Sequence, residues 1–189
     1  MKDAMLSGGF ADPPRDAARA FRACLEAMAR PGRLQPITGA TPPAPLSPAA
    51  GAVLLTLCDA ATPLHLAPSH DSPALRSWIA FHCGAPLVAA SQATFALGTW
   101  EALQPLDRFA IGTADYPDRA ATLIVEMPAL TPPNARLSGP GIATEMLARL
   151  PDPEEAARNH RLYPLGLDLY LCAGTEIAAL PRSTEVEAL

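Results

Sequence analysis

The sequence predicts an α/β fold in three layers, with a mixed sheet covered by helices on both faces. Segments with helix-start signals dominate the first part of the chain, and short strand-like segments with helices between them follow. The run 167–172 alternates leucines with other residues, as a strand does. A chain of 189 residues can bury roughly 70% of its unfolded surface, which is enough for one core. We therefore expect a single domain over 1–189.

The first predicted helix spans 13–29. Asp12 precedes two prolines, and proline is tolerated in the first turn of a helix. Apolar residues then recur at the spacing of one helix face, which the arginines mostly avoid: Ala17, Phe21, Leu25 and Met28. Pro31-Gly32 ends the helix. The proline-rich segment 31–47 is predicted to be an extended surface crossing that wraps the domain rather than dividing it.

The remaining elements are predicted from helix-capping residues, from glycine and proline at the ends of elements, and from the alternation of apolar residues in strands. The pairs Ser47-Pro48 and Ser72-Pro73 repeat the helix-start signal, and Gly84 closes the helix that follows the second pair. Short strands are predicted at 62–66, 87–89, 94–97 and 122–127. The segment 135–138 runs into a turn at 139–141, which leads to a helix predicted near 142–150. The strand 167–172, with one apolar face, is expected to form a hairpin with 177–180.

Composition excludes several classes of function. The net charge is −5 and no window has clustered cations, so we expect no nucleic-acid partner. Lys2 is the only lysine, which leaves no lysine in the folded body for a Schiff base or a lysine general base. The amino terminus lacks the apolar region of an export signal, and no segment has the length of a membrane span. We expect a cytoplasmic protein whose cysteines are buried thiols.

No motif assembles a complete catalytic or metal-binding set. The histidines and cysteines lack metal-ligand spacing, so no metal site is predicted. His82 is either a half-buried residue of an apolar helix or a base. Asp168 is either on the solvent side of its strand or at the rim of a pocket. Arg182, Ser183 and Thr184 form either a polar tail or a site that holds a phosphate or phosphonate by charge-assisted hydrogen bonds.

Several segments of the sequence resemble the PhnH family, whose members are a subunit of bacterial carbon–phosphorus lyase. The resemblance runs from about Phe10 to Glu187 and is carried by the following segments, which occur in the family's order: Phe21–Gly32, Leu54–Asp59, Phe81–Leu87, Ala93–Ala96, Ala121–Val125, Leu137–Ile142, Tyr163–Leu169 and Leu180–Glu187. Two positions depart from the family pattern. Cys83 replaces a more usual Thr or Ser, and Glu185 stands where some relatives have His.

The resemblance implies a fold similar to the large domain of pyridoxal-phosphate transferases, without the cofactor. It also implies a core assembly with PhnG, PhnI and PhnJ. That assembly joins methylphosphonate to the ribose of ATP, displaces adenine and yields ribose 1-methylphosphonate 5-triphosphate. Self-association into a homodimer is expected from the family.

Two classes of function therefore remain open at the level of sequence. The chain is either a subunit that is inactive alone, or a stand-alone enzyme or binder of a phosphonate or nucleotide. The second reading uses Arg182, Ser183 and Thr184, together with His82. No residue is predicted to be catalytic by itself.

Overall fold

The computed structural model describes residues 7–189, so Lys2 and the start of the amino-terminal segment lie outside the described residues. The helices are α1 (Pro13–Ala29), α2 (Pro48–Leu57), α3 (Pro73–His82), α4 (Trp100–Leu103) and α5 (Pro153–His160). The strands are β1 (Gln35–Pro36), β2 (Leu64–Leu66), β3 (Phe95–Thr99), β4 (Thr122–Glu126), β5 (Ala135–Ser138), β6 (Met146–Ala148), β7 (Asp168–Ala173), β8 (Glu176–Leu180) and β9 (Glu185–Ala188).

The main sheet is mixed, as predicted. Its six strands lie in the order β1-β8-β7-β4-β3-β2, and β2, β3, β4 and β7 are parallel. The predicted hairpin is confirmed, because β8 returns antiparallel to β7 through Gly174, which adopts φ +56°. The antiparallel strand β1 then extends the same edge. A second sheet has the order β6-β5-β9.

The helix starts follow the cap-plus-proline signal. Ser47 accepts a hydrogen bond from the Ala50 backbone N–H, and Ser72 accepts one from the Leu75 N–H. At the start of α1, the Asp12 side chain makes no capping bond. Its backbone N–H donates instead to the Asp16 carboxylate, at 3.0 Å.

The two faces of the main sheet bury two separate apolar clusters. In β4, Ile124 packs in the cluster that contains α1, α2 and α3 residues. Its neighbours Leu123 and Val125 pack in the cluster on the other face, with α4, α5 and β5. The sheet is therefore covered on both sides, on one by helices and on the other by helices and the second sheet.

Strand β7 is buried on both faces, which corrects the prediction of one apolar face. Tyr170 and Cys172 lie in the cluster beneath the first three helices, and Leu169 and Leu171 lie in the opposite cluster. The reason is its position between β4 and β8, where neither face reaches solvent.

Helix α1 has the predicted bounds but packs with a different face. Its buried residues are Ala20, Cys24 and Ala27, whereas Phe21 and Leu25 are each 53% exposed. The small side chains let α1 approach α2, whose buried face includes Ala49, Ala50 and Ala52. The larger apolar residues are left toward solvent.

The prediction of a helix near 142–150 is wrong. Residues 146–148 form β6, antiparallel to β5. The amide of Asn134 explains the extended backbone that follows, because it accepts from the Leu150 N–H and donates to the Leu150 carbonyl. Alternation also fits a strand, since Ala148 and Leu150 are buried and Leu147 is exposed. The strand predicted at 87–89 is reduced to a single bridge between Leu64 and Leu87.

The segment 31–47 is partly a surface crossing and partly core. Strand β1 pairs at the sheet edge, and the Ile37 backbone N–H donates to the Thr175 carbonyl at 2.9 Å. Ile37, Ala40 and Leu46 are buried against the helical cluster. The crossing thus anchors α1 and α2 to the edge of the main sheet.

Candidate functional site

Arg182 and Asp168 lie side by side where β7 begins and β8 ends, and each nitrogen of the Arg182 guanidinium donates a hydrogen bond. We call this feature the Asp168–Arg182 corner. Asp168 begins β7 and Arg182 follows β8, so the hairpin brings the two together. Arg182 donates from Nη2 to Oδ2 at 2.5 Å and from Nε to Oδ1 at 3.1 Å, and its backbone N–H also donates to Oδ1. Its Nη1 donates to the Pro117 carbonyl at 2.6 Å. This geometry holds the strand ends and loop 117–119 together.

Ser183 and Thr184 form the turn after this corner. The Thr184 N–H donates to the Pro181 carbonyl. Thr184 is 1% exposed, and its Oγ1 has no hydrogen-bond partner among the described residues. Ser183 is half-buried. The two hydroxyls therefore do not form one open anion-binding surface with the Arg182 guanidinium.

His82 lies at the carboxyl end of α3 and packs on the segment that precedes α1. Its Nε2 is 3.3 Å from the Ser7 carbonyl oxygen, and its ring lies 5.0 Å from the Trp78 ring. A Cβ on Gly9 would lie 2.6 Å from the imidazole, so a larger residue there would require the His82 ring to move. The surrounding cavity of about 370 Å³ is lined by Gly8, Gly9 and Phe10. No hydrogen bond of the described residues joins His82 to the Asp168–Arg182 corner.

The two departures from the family pattern occupy structural positions. Cys83 follows the last turn of α3, and burial raises the pKa of its thiol to about 12. Glu185 begins β9 and accepts a hydrogen bond from the Ser138 hydroxyl at 3.2 Å.

A cleft that sequence reasoning missed lies at the carboxyl ends of the parallel strands. Its volume is about 520 Å³, and its lining includes Thr99, Glu126 and His70, which end or follow β3, β4 and β2. The carboxyl edge of parallel strands is the usual place for ligand sites in such sheets. Arg149, just after β6, and Trp100, at the start of α4, complete the walls. We call this feature the strand-end cleft.

Two of its groups, Glu126 and His70, are buried titratable side chains that face each other. Glu126 Oε1 lies 3.9 Å from His70 Nε2 and accepts the backbone N–H of Ser47 at 2.7 Å. Burial raises the pKa of Glu126, and the Ser47 hydrogen bonds oppose that rise. Burial lowers the pKa of His70. Both groups are thus biased toward their neutral forms.

The described residues hold no group of three or more metal-ligating side chains. Their cysteines are free thiols, and burial holds the pKa of Cys24, Cys58 and Cys172 well above the usual range. Among the described residues no helix combines the length and apolar character that crossing a membrane requires.

The structure is that of an α/β protein with three candidate sites around one mixed sheet. They are the Asp168–Arg182 corner, His82 and the strand-end cleft. Comparison with known proteins identifies its family. The chain belongs to the PhnH family of bacterial phosphonate metabolism proteins, whose family model matches residues 8–187.

Two curated relatives support this assignment. The chain is 42% identical over 192 residues to the alpha-D-ribose 1-methylphosphonate 5-triphosphate synthase subunit PhnH of Rhizobium meliloti (strain 1021), covering 97% of this chain and 96% of the relative. It is 31% identical over 178 residues to the C-P lyase subunit protein HtxG of Stutzerimonas stutzeri, covering 88% of this chain and 84% of the relative.

Proposed function

We propose that this chain is a subunit of the carbon–phosphorus lyase core assembly. In that role it is needed to form ribose 1-methylphosphonate 5-triphosphate from ATP and methylphosphonate. The observation that carries the proposal is the near full-length similarity to a relative named as a subunit of the corresponding synthase. The family match over residues 8–187 supports the same role in phosphonate metabolism.

The proposal includes the expected partners and setting. The partners are PhnG, PhnI and PhnJ, and the chain acts in the cytoplasm as one domain over 1–189 that also forms a homodimer. Its sheet, flanked by helices, is the part to compare with the large domain of pyridoxal-phosphate transferases. No bound cofactor is part of the proposed role.

The outer face of α1 supports a role in assembly. Phe21 and Leu25 lie one turn apart on the helix, and each is about half exposed. Aromatic and leucine side chains that remain exposed in a subunit gain free energy when a partner covers them. We propose this face, defined by Phe21 and Leu25, as the surface that meets another subunit of the assembly.

The geometry of Arg182 argues against the alternative of a stand-alone phosphonate or nucleotide binder. That reading needs a free pair of N–H donors, but Nε and Nη2 already form the paired contact with Asp168, and Nη1 donates to the Pro117 carbonyl. An anion bound through the Nε–Nη2 edge of Arg182 would have to displace the Asp168 carboxylate.

Co-expression with tagged PhnI, PhnG and PhnJ tests the assembly. The native chain is expected to be captured with the tagged subunit. Leu25→Asp is expected to reduce capture at least tenfold, because it places a charge where an apolar side chain contacts the partner. A tenfold loss of affinity corresponds to about 1.4 kcal/mol of binding free energy. Arg19→Ala, exposed on another side of α1, is the matched control and is expected to be captured normally. A native chain that is never captured would refute the proposed function. Normal capture of Leu25→Asp would refute only the α1 surface.

A further inference from the structure

The strand-end cleft has the size and position of a small-molecule site. Its volume of about 520 Å³ falls within the range of roughly 300–1,000 Å³ typical of ligand pockets. The wall includes Trp100 and Met127, which offer apolar surface, and the polar groups converge from separate segments of the chain.

The hydrogen bonds around His70 favour one of the two tautomers of the neutral ring. Ser69 Oγ accepts the backbone N–H of Thr99 at 3.0 Å and lies 2.9 Å from His70 Nδ1. The hydroxyl proton of Ser69 is therefore free to be donated to Nδ1, which makes Nδ1 the acceptor. In the neutral ring Nε2 then carries the proton. We assign the tautomer from this network.

The His70 Nε2 lies 3.9 Å from Glu126 Oε1 and has no acceptor within bonding distance in the described part of the chain. His70 is 2% exposed, and its Nε2 has no partner among the described residues. A buried donor of this kind is costly unless it is satisfied. A small movement of the Glu126 carboxyl across the 3.9 Å separation would satisfy it and fix the carboxyl in place. His70 is thus suited to be a positioning residue for Glu126.

Arg149 supplies the cation of the cleft. Its guanidinium makes no hydrogen bond or ion pair among the described residues, in contrast to Arg182. A partly buried, unpaired guanidinium in a cleft is suited to an anionic group, which it can bind through paired N–H donors. The same cleft contains the carboxyl groups of Glu101 and Glu126. With one arginine against these groups, the cleft disfavours a ligand with more than one phosphate group.

We propose that the strand-end cleft binds a small anion that carries hydroxyl groups, of the class of a pentose monophosphate. Arg149 binds the anionic group, and Glu126 accepts hydrogen bonds from the hydroxyls. Trp100 contacts the C–H face of the sugar, and His70 positions Glu126. The site is formed by this chain alone, so it stands or fails separately from assembly with other subunits.

Tryptophan fluorescence provides the readout. The chain contains 2 tryptophans, and Trp78 is fully buried in the cluster on the other face of the sheet. In a Trp78→Phe background, Trp100 alone reports on the cleft. The probes are ribose 5-phosphate, ribose and inorganic phosphate, each titrated to about 10 mM, which reaches Kd values in the millimolar range.

Ribose 5-phosphate is expected to cause a saturable change in fluorescence and to bind at least tenfold more tightly than ribose or phosphate alone. Arg149→Ala is expected to weaken binding at least tenfold without changing the melting temperature, because Arg149 has no partner to lose. Arg22→Ala is the control outside the cleft. Lack of saturation, or equal affinity of Arg149→Ala, would overturn the site. Equal binding of phosphate alone would overturn the hydroxyl requirement, and equal binding of ribose alone would overturn the anion requirement.

The positioning role of His70 has its own test. His70→Gln keeps an N–H donor that can reach Glu126, whereas His70→Leu has none. We expect His70→Gln to retain affinity within about threefold and His70→Leu to lose about tenfold, with thermal unfolding measured for both. Equal loss of affinity in the two variants, at equal stability, would show that donation to Glu126 is unimportant.

Discussion

A substitution at Arg182 can distinguish a structural role of the Asp168–Arg182 corner from a ligand-binding role. Arg182→Ala removes the three side-chain hydrogen bonds to Asp168 and to the Pro117 carbonyl. Asp168 then keeps only the backbone N–H of residue 182 as a partner. The carboxylate loses its compensating charge while its side chain remains only 23% exposed.

The magnitude follows from that geometry. Hydrogen bonds to charged groups contribute about 1.5–3 kcal/mol, and partial exposure of this pair reduces the effect below that of a fully buried one. We expect Arg182→Ala to lower the free energy of unfolding by about 2–3 kcal/mol. At about 2–4 °C per kcal/mol for a domain of this size, the melting temperature falls by roughly 4–12 °C.

Urea denaturation and thermal unfolding followed by circular dichroism measure this change. In a double-mutant cycle with Asp168→Asn, the coupling energy between the two positions is expected to be about 1–2 kcal/mol. Arg22→Ala, an exposed arginine on α1, is expected to stay within about 0.5 kcal/mol of the native chain. The reasoning is refuted if Arg182→Ala is as stable as this control while it abolishes saturable binding of methylphosphonate.

Further predictions concern other buried groups. Trp78→Phe is expected to lower the free energy of unfolding by less than about 1.5 kcal/mol in urea denaturation, because it also removes an indole N–H that finds no acceptor among residues 7–189. Trp78→Ala is expected to lower it by about 3–5 kcal/mol. Burial raises the pKa of three thiols, those of Cys24, Cys58 and Cys172. They should react with a disulfide reagent at about pH 8 only after unfolding. Rapid labelling of the folded chain would contradict their burial. Because burial raises the pKa of Glu126, its stabilising contribution is fully present below the usual value of 4.5 and is lost as pH rises through the folded pKa. Glu126→Gln should therefore gain stability relative to the native chain as the pH rises above 4.5. An unchanged difference in urea denaturation across that rise would contradict the raised pKa.

Local signals in the sequence were sufficient for the elements whose ends are set by local chemistry. The serine–proline pairs place the starts of α2 and α3, since each serine caps its own helix. Gly174 places the β7–β8 turn, where a positive φ is required. These features depend on residues a few positions apart, so no tertiary information was needed.

The packing face of α1 could not be read from hydrophobicity. The most apolar stripe contains Phe21 and Leu25, yet α1 packs through Ala20 and Cys24. Small residues permit close approach of two helices, and this steric gain depends on the partner helix. The strand β6 was missed for a similar reason, because its extended path depends on Asn134 in a different segment.

The strand-end cleft was missed because its groups belong to segments that are distant in the chain. His70 and Glu126 follow or end different parallel strands, and Arg149 comes from the second sheet. A usable signal was present, since polar residues at the ends of predicted parallel strands converge at one edge. Arg149 had no such signal, because the segment 142–150 was predicted to be helical.

The two proposed surfaces can be separated by a crossed experiment. Phe21 and Leu25 lie on the solvent side of α1, whereas Arg149 lies on the wall of the strand-end cleft. If one surface serves assembly and the other serves a ligand, Leu25→Asp should lose capture by the other subunits while it binds ribose 5-phosphate normally. Arg149→Ala should be captured normally and lose the ligand. A variant that loses both at unchanged stability would show that the two functions share a site, because neither side chain has a structural partner whose loss could connect them.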